Sequence, residues 1–425
     1  MLKFVCMSKS IKQIYASLEL GENDLKLLVA EHFNTRFNVL KVVRRQTNSI
    51  NDFKIVDKQS LVFDIKELVK ECSSKVGAKI EKVILVIPSY NFKRFSFRSS
   101  VIPENGVLTK QDITRAISNS LKAKVDFDVL VVNAQVTKYT INGISTKRMP
   151  EKEPCDDALV DIDLLCADKD MIFDYVSSVE EAGVNVLDIT LNSYSIGKEA
   201  SLFEESLKQN IICLDIKNSC SYLSLFSKGR LASCEVMFEG LNTVIRDIKV
   251  KYNIPDKDIL KLIKYDINYG SEYLNDIVYA YNLSGDTKTI STGQLNDAAY
   301  DAIGNLVDKL ITMCGPIIEQ GAILFITGEG QQMSSLINKI KSVANCEVRS
   351  YYPDTLGVRD PSLTSLYGSL FAYKEKALLN NLNVTCIDLL EYDSHISQKE
   401  LDTEGETLTT KIKNLFKQYI EREDE

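Results

Sequence analysis

Histidine is nearly missing from this chain of 425 residues: only His32 and His395 occur, and neither sits in a partner motif. A histidine-based catalytic triad or a histidine-ligated zinc site is therefore excluded as a leading reading. The ten cysteines, at 6, 72, 155, 166, 213, 220, 234, 314, 346 and 386, contain no Cys-x-x-Cys pair and follow no metal-ligand spacing. Most lie in apolar runs such as Ile211-Ile212-Cys213-Leu214, so they read as reduced core thiols of a cytosolic protein. Basic surplus is lacking too: 51 Lys and Arg face 59 Asp and Glu, a formal charge of -8. That balance argues against a nucleic-acid partner, because neutralising phosphates needs excess cation. No apolar run approaches the ~18 residues needed to span a membrane, and the start MLKFVCMSKS is too short and broken for a signal peptide. With only 8 Pro and no Gly/Ser-rich linker, the composition is that of a soluble globular protein. Its length points to roughly two to four domains.

The order of patterns along the chain is more informative. Ile14 to Leu20 and Leu25 to Ala30 flank a turn at Gly21-Glu22-Asn23-Asp24, and Phe37 to Val43 supplies a third strand of the same meander. A helix is expected over 60–75, where Leu61, Ile65, Leu68, Val69 and Cys72 recur at helical spacing, followed by a buried strand at 82–87. Residues 90–165 have the character of an insertion. In it, 94–98 alternates as a half-exposed strand, Thr109 is placed to cap a helix, and 129–132 with 138–141 read as a hairpin around Asn142-Gly143. A helix at 168–182, a strand at 184–191 and a helix near 195–208 come next. Then strand, polar turn, strand and third strand return over 211–238, which suggests two halves of common architecture.

Four short stretches sit where such halves would face each other. The first is Leu18-Glu19-Leu20-Gly21-Glu22-Asn23-Asp24, the second Asp215-Ile216-Lys217-Asn218-Ser219-Cys220-Ser221, the third Phe238 to Ile248 with Gly240 and Asp247, and the fourth Ile323 to Gln332 with Thr327-Gly328-Glu329-Gly330. A plain hairpin or strand-helix turn needs Gly, Asn and Ser for its own geometry. Taken in order over residues 12–420, however, these stretches resemble the phosphate and adenosine turns of the actin-like ATPase superfamily, and within it the FtsA family of cell-division proteins. The resemblance implies an α/β, two-domain actin-like fold with a small α/β (SHS2-like) subdomain inserted in the first domain. It also implies ATP with Mg²⁺ between Gly21, Asn23, Asp215, Lys217, Asn218, Ser219, Gly240, Gly328, Glu329 and Gly330, with Asp215 holding a metal-bound water. Here the second turn lacks glycine, which such turns use to bring backbone N–H groups close to phosphate. Glu22 and Asp24 put negative charge where phosphate would approach. At most a weak ATPase follows.

The C-terminal end reads differently. Residues 377–407 are largely polar and suggest a tether, in which NNLNVTCIDLLEYD docks or stays loose. Beyond it, a helical turn of ~100° per residue places Leu408, Ile412, Leu415, Phe416, Tyr419 and Ile420 on one face, with Lys411, Lys413 and Lys417 beside it. Such a helix can lie in an anionic headgroup layer, although the end Glu421-Arg422-Glu423-Asp424-Glu425 opposes it and docking on the body is the plainer alternative.

The expected division is 1–87 and 166–208 for the first domain, 88–165 for the insert, 209–376 for the second domain, 377–407 for a linker and 408–420 for a membrane-targeting helix. The resemblance implies a peripheral protein on the cytoplasmic side of the cell membrane at the division site. Its implied partners are the C-terminal peptide of the tubulin-like polymer FtsZ, anionic lipid, further copies of itself in filaments and other division proteins. The FtsZ contact is expected within 250–320. Two rivals share the fold: a working ATPase of the heat-shock-chaperone type, which would keep intact phosphate-turn glycines, and a PilM-like scaffold of pilus assembly.

Overall fold

The structure is a computed structural model that describes residues 12–150, 153–267, 272–283, 286–355 and 357–404. Residues 408–420, the expected membrane helix, lie outside the described residues.

The first lobe is built on β1 (Gln13–Leu20), β2 (Asp24–Phe33) and β3 (Arg36–Gln46), a meander whose apolar runs bury almost every side chain of β1. A short hairpin, β4 (Ile50–Asn51) with β5 (Lys54–Ile55), leads to helix α1 (Lys58–Val76), which Asp57 caps by accepting from the Ser60 N–H. Strand β6 (Lys82–Ile87) follows, its five apolar residues all buried. The inserted subdomain comes next: β7 (Lys93–Val101), α2 (Lys110–Ser120), β8 (Val129–Ile141), β9 (Ile144–Thr146) and β10 (Ala158–Asp168). Thr109 caps α2 in a reciprocal box with Asp112. The chain returns through α3 (Lys169–Glu181), β11 (Asn185–Leu191), α4 (Asn192–Glu199) and the single turn α5 (Leu202–Glu205).

The second lobe repeats the plan. Strands β12 (Ile211–Ile216), β13 (Ser221–Ser227) and β14 (Arg230–Met237) form its meander. Helices α6 (Leu241–Tyr252) and α7 (Asp256–Tyr265), the hairpin β15 (Ile277–Leu283) with β16 (Asp286–Ser291), and the long α8 (Thr292–Ile318) follow. Then come β17 (Ile323–Thr327), α9 (Ser334–Val343) and β18 (Val348–Ser350), and the described residues end with α10 (Thr364–Leu379) and α11 (Leu389–Glu404).

Among the described residues the two main sheets have the same order, β3-β2-β1-β6-β11 and β14-β13-β12-β17-β18. In each, the meander is antiparallel and the last two strands join parallel. This is the two-domain actin-like fold, and the insert forms its own β7-β10-β8-β9 sheet backed by α2. The lobes meet where α10 crosses α4. There the glycine at 368 is required, because a Cβ would run into the Ser195 carbonyl oxygen.

Three local expectations differ from the structure. Residues 129–141 are one continuous strand, and Asn142-Gly143, both at positive φ, turn it into the three-residue β9. The helix expected near 195–208 is broken by Ser201 at φ 55, which ends α4 and restarts the chain as α5. The stretch read as a polar tether is partly docked: Cys386 and Ile387 are buried, the Cys386 N–H donates to the Ile14 carbonyl at 2.8 Å, and Ile80 bridges to Ile387.

Candidate functional site in the interlobe cleft

The β1–β2 turn of one lobe faces the β12–β13 turn of the other, and the matched strand order puts Glu19 and Asp215 at equivalent places near the strand ends. In the first turn the Gly21 N–H donates to the Asp24 carbonyl at 3.0 Å, and a Cβ on Gly21 would lie 2.7 Å from that oxygen. The Asn23 side chain reaches the second lobe by accepting from Asn242 Nδ2 at 3.2 Å.

The second turn closes through the Lys217 N–H to the Cys220 carbonyl at 2.9 Å. None of residues 217–220 has positive φ, so this turn needs no glycine for its own backbone. Its carbonyls point at the start of α6: Leu241 N–H donates to Lys217 at 3.0 Å and Asn242 N–H to Asn218 at 2.7 Å. The free donors that make a helix N-terminus an anion site are thus turned to the protein's own chain. Gly240 permits this approach, since a Cβ there would lie 2.7 Å from the Asn218 carbonyl oxygen.

At the end of β17, Gly328 adopts φ 81 and ψ -173, and a Cβ on it would run into Asp215 Oδ1. Gly330 packs just as closely on the Ile216 side chain. Between these turns lies a cluster of charge. Lys26, on β2 and 3% exposed, donates to Glu329 Oε1 at 2.5 Å and stands 3.8 Å from Asp24. Lys217 donates to Glu19 Oε1, and its Nζ lies 4.0 Å from Asp215. Ser365, from α10, donates to Glu19 Oε2 at 3.0 Å. At the cleft edge Arg44 donates to Asp360 at 2.5 Å and to Ser362 Oγ at 2.7 Å.

No family model matches the chain. The cell division protein FtsA of Bacillus subtilis (strain 168) is 21% identical over 357 residues, covering 82% of this chain and 81% of its own. FtsA of Enterococcus faecalis (strain ATCC 700802 / V583) is 20% identical over 95% of this chain and 98% of its own. Among solved structures, the PilM-PilN type IV pilus biogenesis complex superposes with a TM-score of 0.56 at 13% identity, over 84% of this chain and 98% of that chain. The chain is thus similar to FtsA proteins over most of its length and has the actin-like fold.

The interlobe cleft brings the expected residues together, yet in this arrangement they do not fit a magnesium triphosphate. The cavity walled by Glu19, Gly21, Glu22, Lys217, Ser219 and Tyr222 measures about 30 Å³, room for one or two waters where small-molecule sites need hundreds. Both lysines are engaged with carboxylates. Asp215 Oδ2 and Glu329 Oε2 are buried without a hydrogen-bond partner of their own. Among the described residues no group of three or more His, Cys, Asp or Glu is placed to hold a metal ion.

The charges respond to one another. Burial, with Glu329 adding to it, pushes the Asp215 carboxyl up to about 8. Burial would raise Glu329 too, but the Lys26 and Lys217 charges outweigh it and hold Glu329 below the ordinary range. Burial would lower Lys26, and Glu329 and Asp24 outweigh that in turn and raise it. Lys217 is lowered, burial being the dominant cause.

Lys26, Glu19 and Ser365 were not singled out from the sequence as site residues. The available signal was a lysine inside the buried run LKLLVA, where an unpaired cation is costly.

Proposed function

We propose that this FtsA-like chain is a cell-division scaffold on the cytoplasmic side of the membrane, tethering FtsZ polymers at the division site and assembling with copies of itself into actin-like filaments. The similarity to curated FtsA proteins over four-fifths or more of both chains carries this reading. The insert in the first lobe and the helix–hairpin extension of the second supply its contact surfaces. A cleft of about 730 Å³ between the insert and the main body, walled by β8, α2, α4 and α10, offers a seat for other division proteins. Val250, Tyr265 and Ile277 expose apolar surface in the second-lobe extension, where the FtsZ C-terminal peptide is placed in this reading. Residues 408–420, with Leu408, Ile412, Leu415, Phe416, Tyr419 and Ile420 against lipid and Lys413 and Lys417 at its margin, supply attachment to anionic membrane. ATP with Mg²⁺ has a minor place: it enters the cleft only if the two ion pairs across it separate.

The test is co-sedimentation of the full chain with anionic liposomes and a fluorescent FtsZ C-terminal peptide. The expected result is recruitment of peptide to the pellet, lost on truncation at Thr410. A truncated chain that pellets as well as the full one removes the membrane helix from the reading, and failure to bind peptide removes the FtsZ partner. The PilM-like alternative, which the structural likeness to the PilM-PilN complex favours, expects neither.

A further inference from the structure

Two ion pairs cross the cleft in opposite senses. Lys26 of the first lobe reaches Glu329 of the second at 2.5 Å, and Lys217 of the second reaches Glu19 of the first. Each lobe therefore contributes one cation and one anion: Glu19 and Lys26 are paired across β1 and β2 in the first, and Lys217 and Glu329 lie just past the ends of β12 and β17 in the second. The four side chains are 3%, 14%, 15% and 9% exposed, so neither pair is a solvated surface contact. Around them the cleft is closed by further cross-lobe bonds: Asn242 to Asn23, Arg44 to Asp360, and Ser365 to Glu19. The cavity beside the Lys217–Glu19 pair, walled by Gly21, Glu22, Ser219 and Tyr222, measures about 30 Å³.

We infer that Lys26–Glu329 and Lys217–Glu19 form an interlobe latch, which holds the two lobes closed through the chain's own charges and without a nucleotide. In a buried setting such pairs act in a reciprocal way. Each partner is costly when alone, so removing either leaves an uncompensated charge that drives the lobes apart to admit water. Intact, the pairs satisfy each other and leave no cation over for a phosphate. Lobe separation then answers to whatever competes for these four side chains. The latch rests on the cleft geometry alone, so loss of FtsZ or membrane binding would leave it standing.

The test measures cleft opening in the full chain by amide hydrogen exchange at Leu241 and Asn242, whose N–H groups are held by the second turn, together with the scattering radius of gyration. Lys26→Glu is expected to speed exchange at both amides by tenfold or more and to enlarge the radius, and Lys26→Glu with Glu329→Lys is expected to restore both. Mg-ATP at millimolar concentration is expected to leave the wild-type values unchanged. Because the charge reversal can unfold the first lobe, the uncharged variant Lys217→Met with Glu19→Gln is measured beside it under a circular-dichroism check. Faster exchange in a folded variant supports the latch. Unchanged exchange in both variants, failure of the swapped pair to restore it, or saturable micromolar Mg-ATP binding by the wild type overturns it.

Discussion

Asp215 lies next to the last residue of β12 at 3% exposure, with Oδ1 against Gly328 and Oδ2 free of hydrogen bonds but 4.0 Å from Lys217 Nζ. Its carboxyl is raised to about 8 by burial first and Glu329 second, against an ordinary 3.8. The sign follows from proton counting: between those two values the folded chain keeps a proton that the unfolded chain releases, so this group's stabilisation is complete at acid pH and is lost as pH rises toward 8. Asp215→Asn, which mimics the protonated form, is expected to be close to neutral only below pH 3.8 and to stabilise increasingly from there toward pH 8, by up to about 1.4 kcal/mol per pH unit in that window. Denaturant titrations of both proteins at pH 5, 6.5 and 8 check it; parallel curves would remove the assignment. At the same scale, the glycine-free turn that looked like an eroded phosphate loop has a simple account. Residues 217–220 stay at negative φ, and the close approach that demands glycine occurs instead at Gly240 and Gly328, on the neighbouring turns.

Elements were legible where their cause is local. The run 83–87 is continuously apolar because β6 is covered on both faces, and Thr109 announced α2 because its cap is made within four residues. The break at Ser201 was hidden, since nothing in its neighbours requires a left-handed backbone and tertiary packing of α4 and α5 decides it. The crossing of α4 and α10 has its tight point at Gly368 against Ser195. Gly368→Val is expected to cost about 3 kcal/mol or more, because the obstacle is backbone rather than a flexible side-chain end. A thermal melt that falls by several degrees checks this; an unaltered melt would mean that the helices separate freely.

At the scale of the whole molecule, the repeated meander made two lobes visible in the sequence, while the charges joining them were not. Lys26 and Glu329 are 303 positions apart, and no periodicity reports a partner at that distance. The same limit applied to the segment after α10, which reads as polar yet folds back on the first lobe. Ile387 is 2% exposed and bridged to Ile80, and the Cys386 carbonyl accepts from the Glu81 and Lys82 N–H groups at 2.9 and 3.1 Å. Ile387→Asp would bury an unpaired charge there and is expected to destabilise the chain by about 3 kcal/mol or more. Hydrogen exchange should accelerate at Glu81 and Lys82 before the second lobe responds; equal acceleration in both lobes would argue that the segment clamps the whole body.

Among the described residues, that fold-back fastens the segment after α10 to the first lobe. Its bonds run to Lys12, Ile14, Lys79, Glu81 and Lys82, at the far end of the first sheet from the cleft. A pull delivered through this segment therefore loads the first lobe directly and reaches the second only through the α4–α10 crossing and the closed cleft, which makes the second lobe the lever and the first its mount.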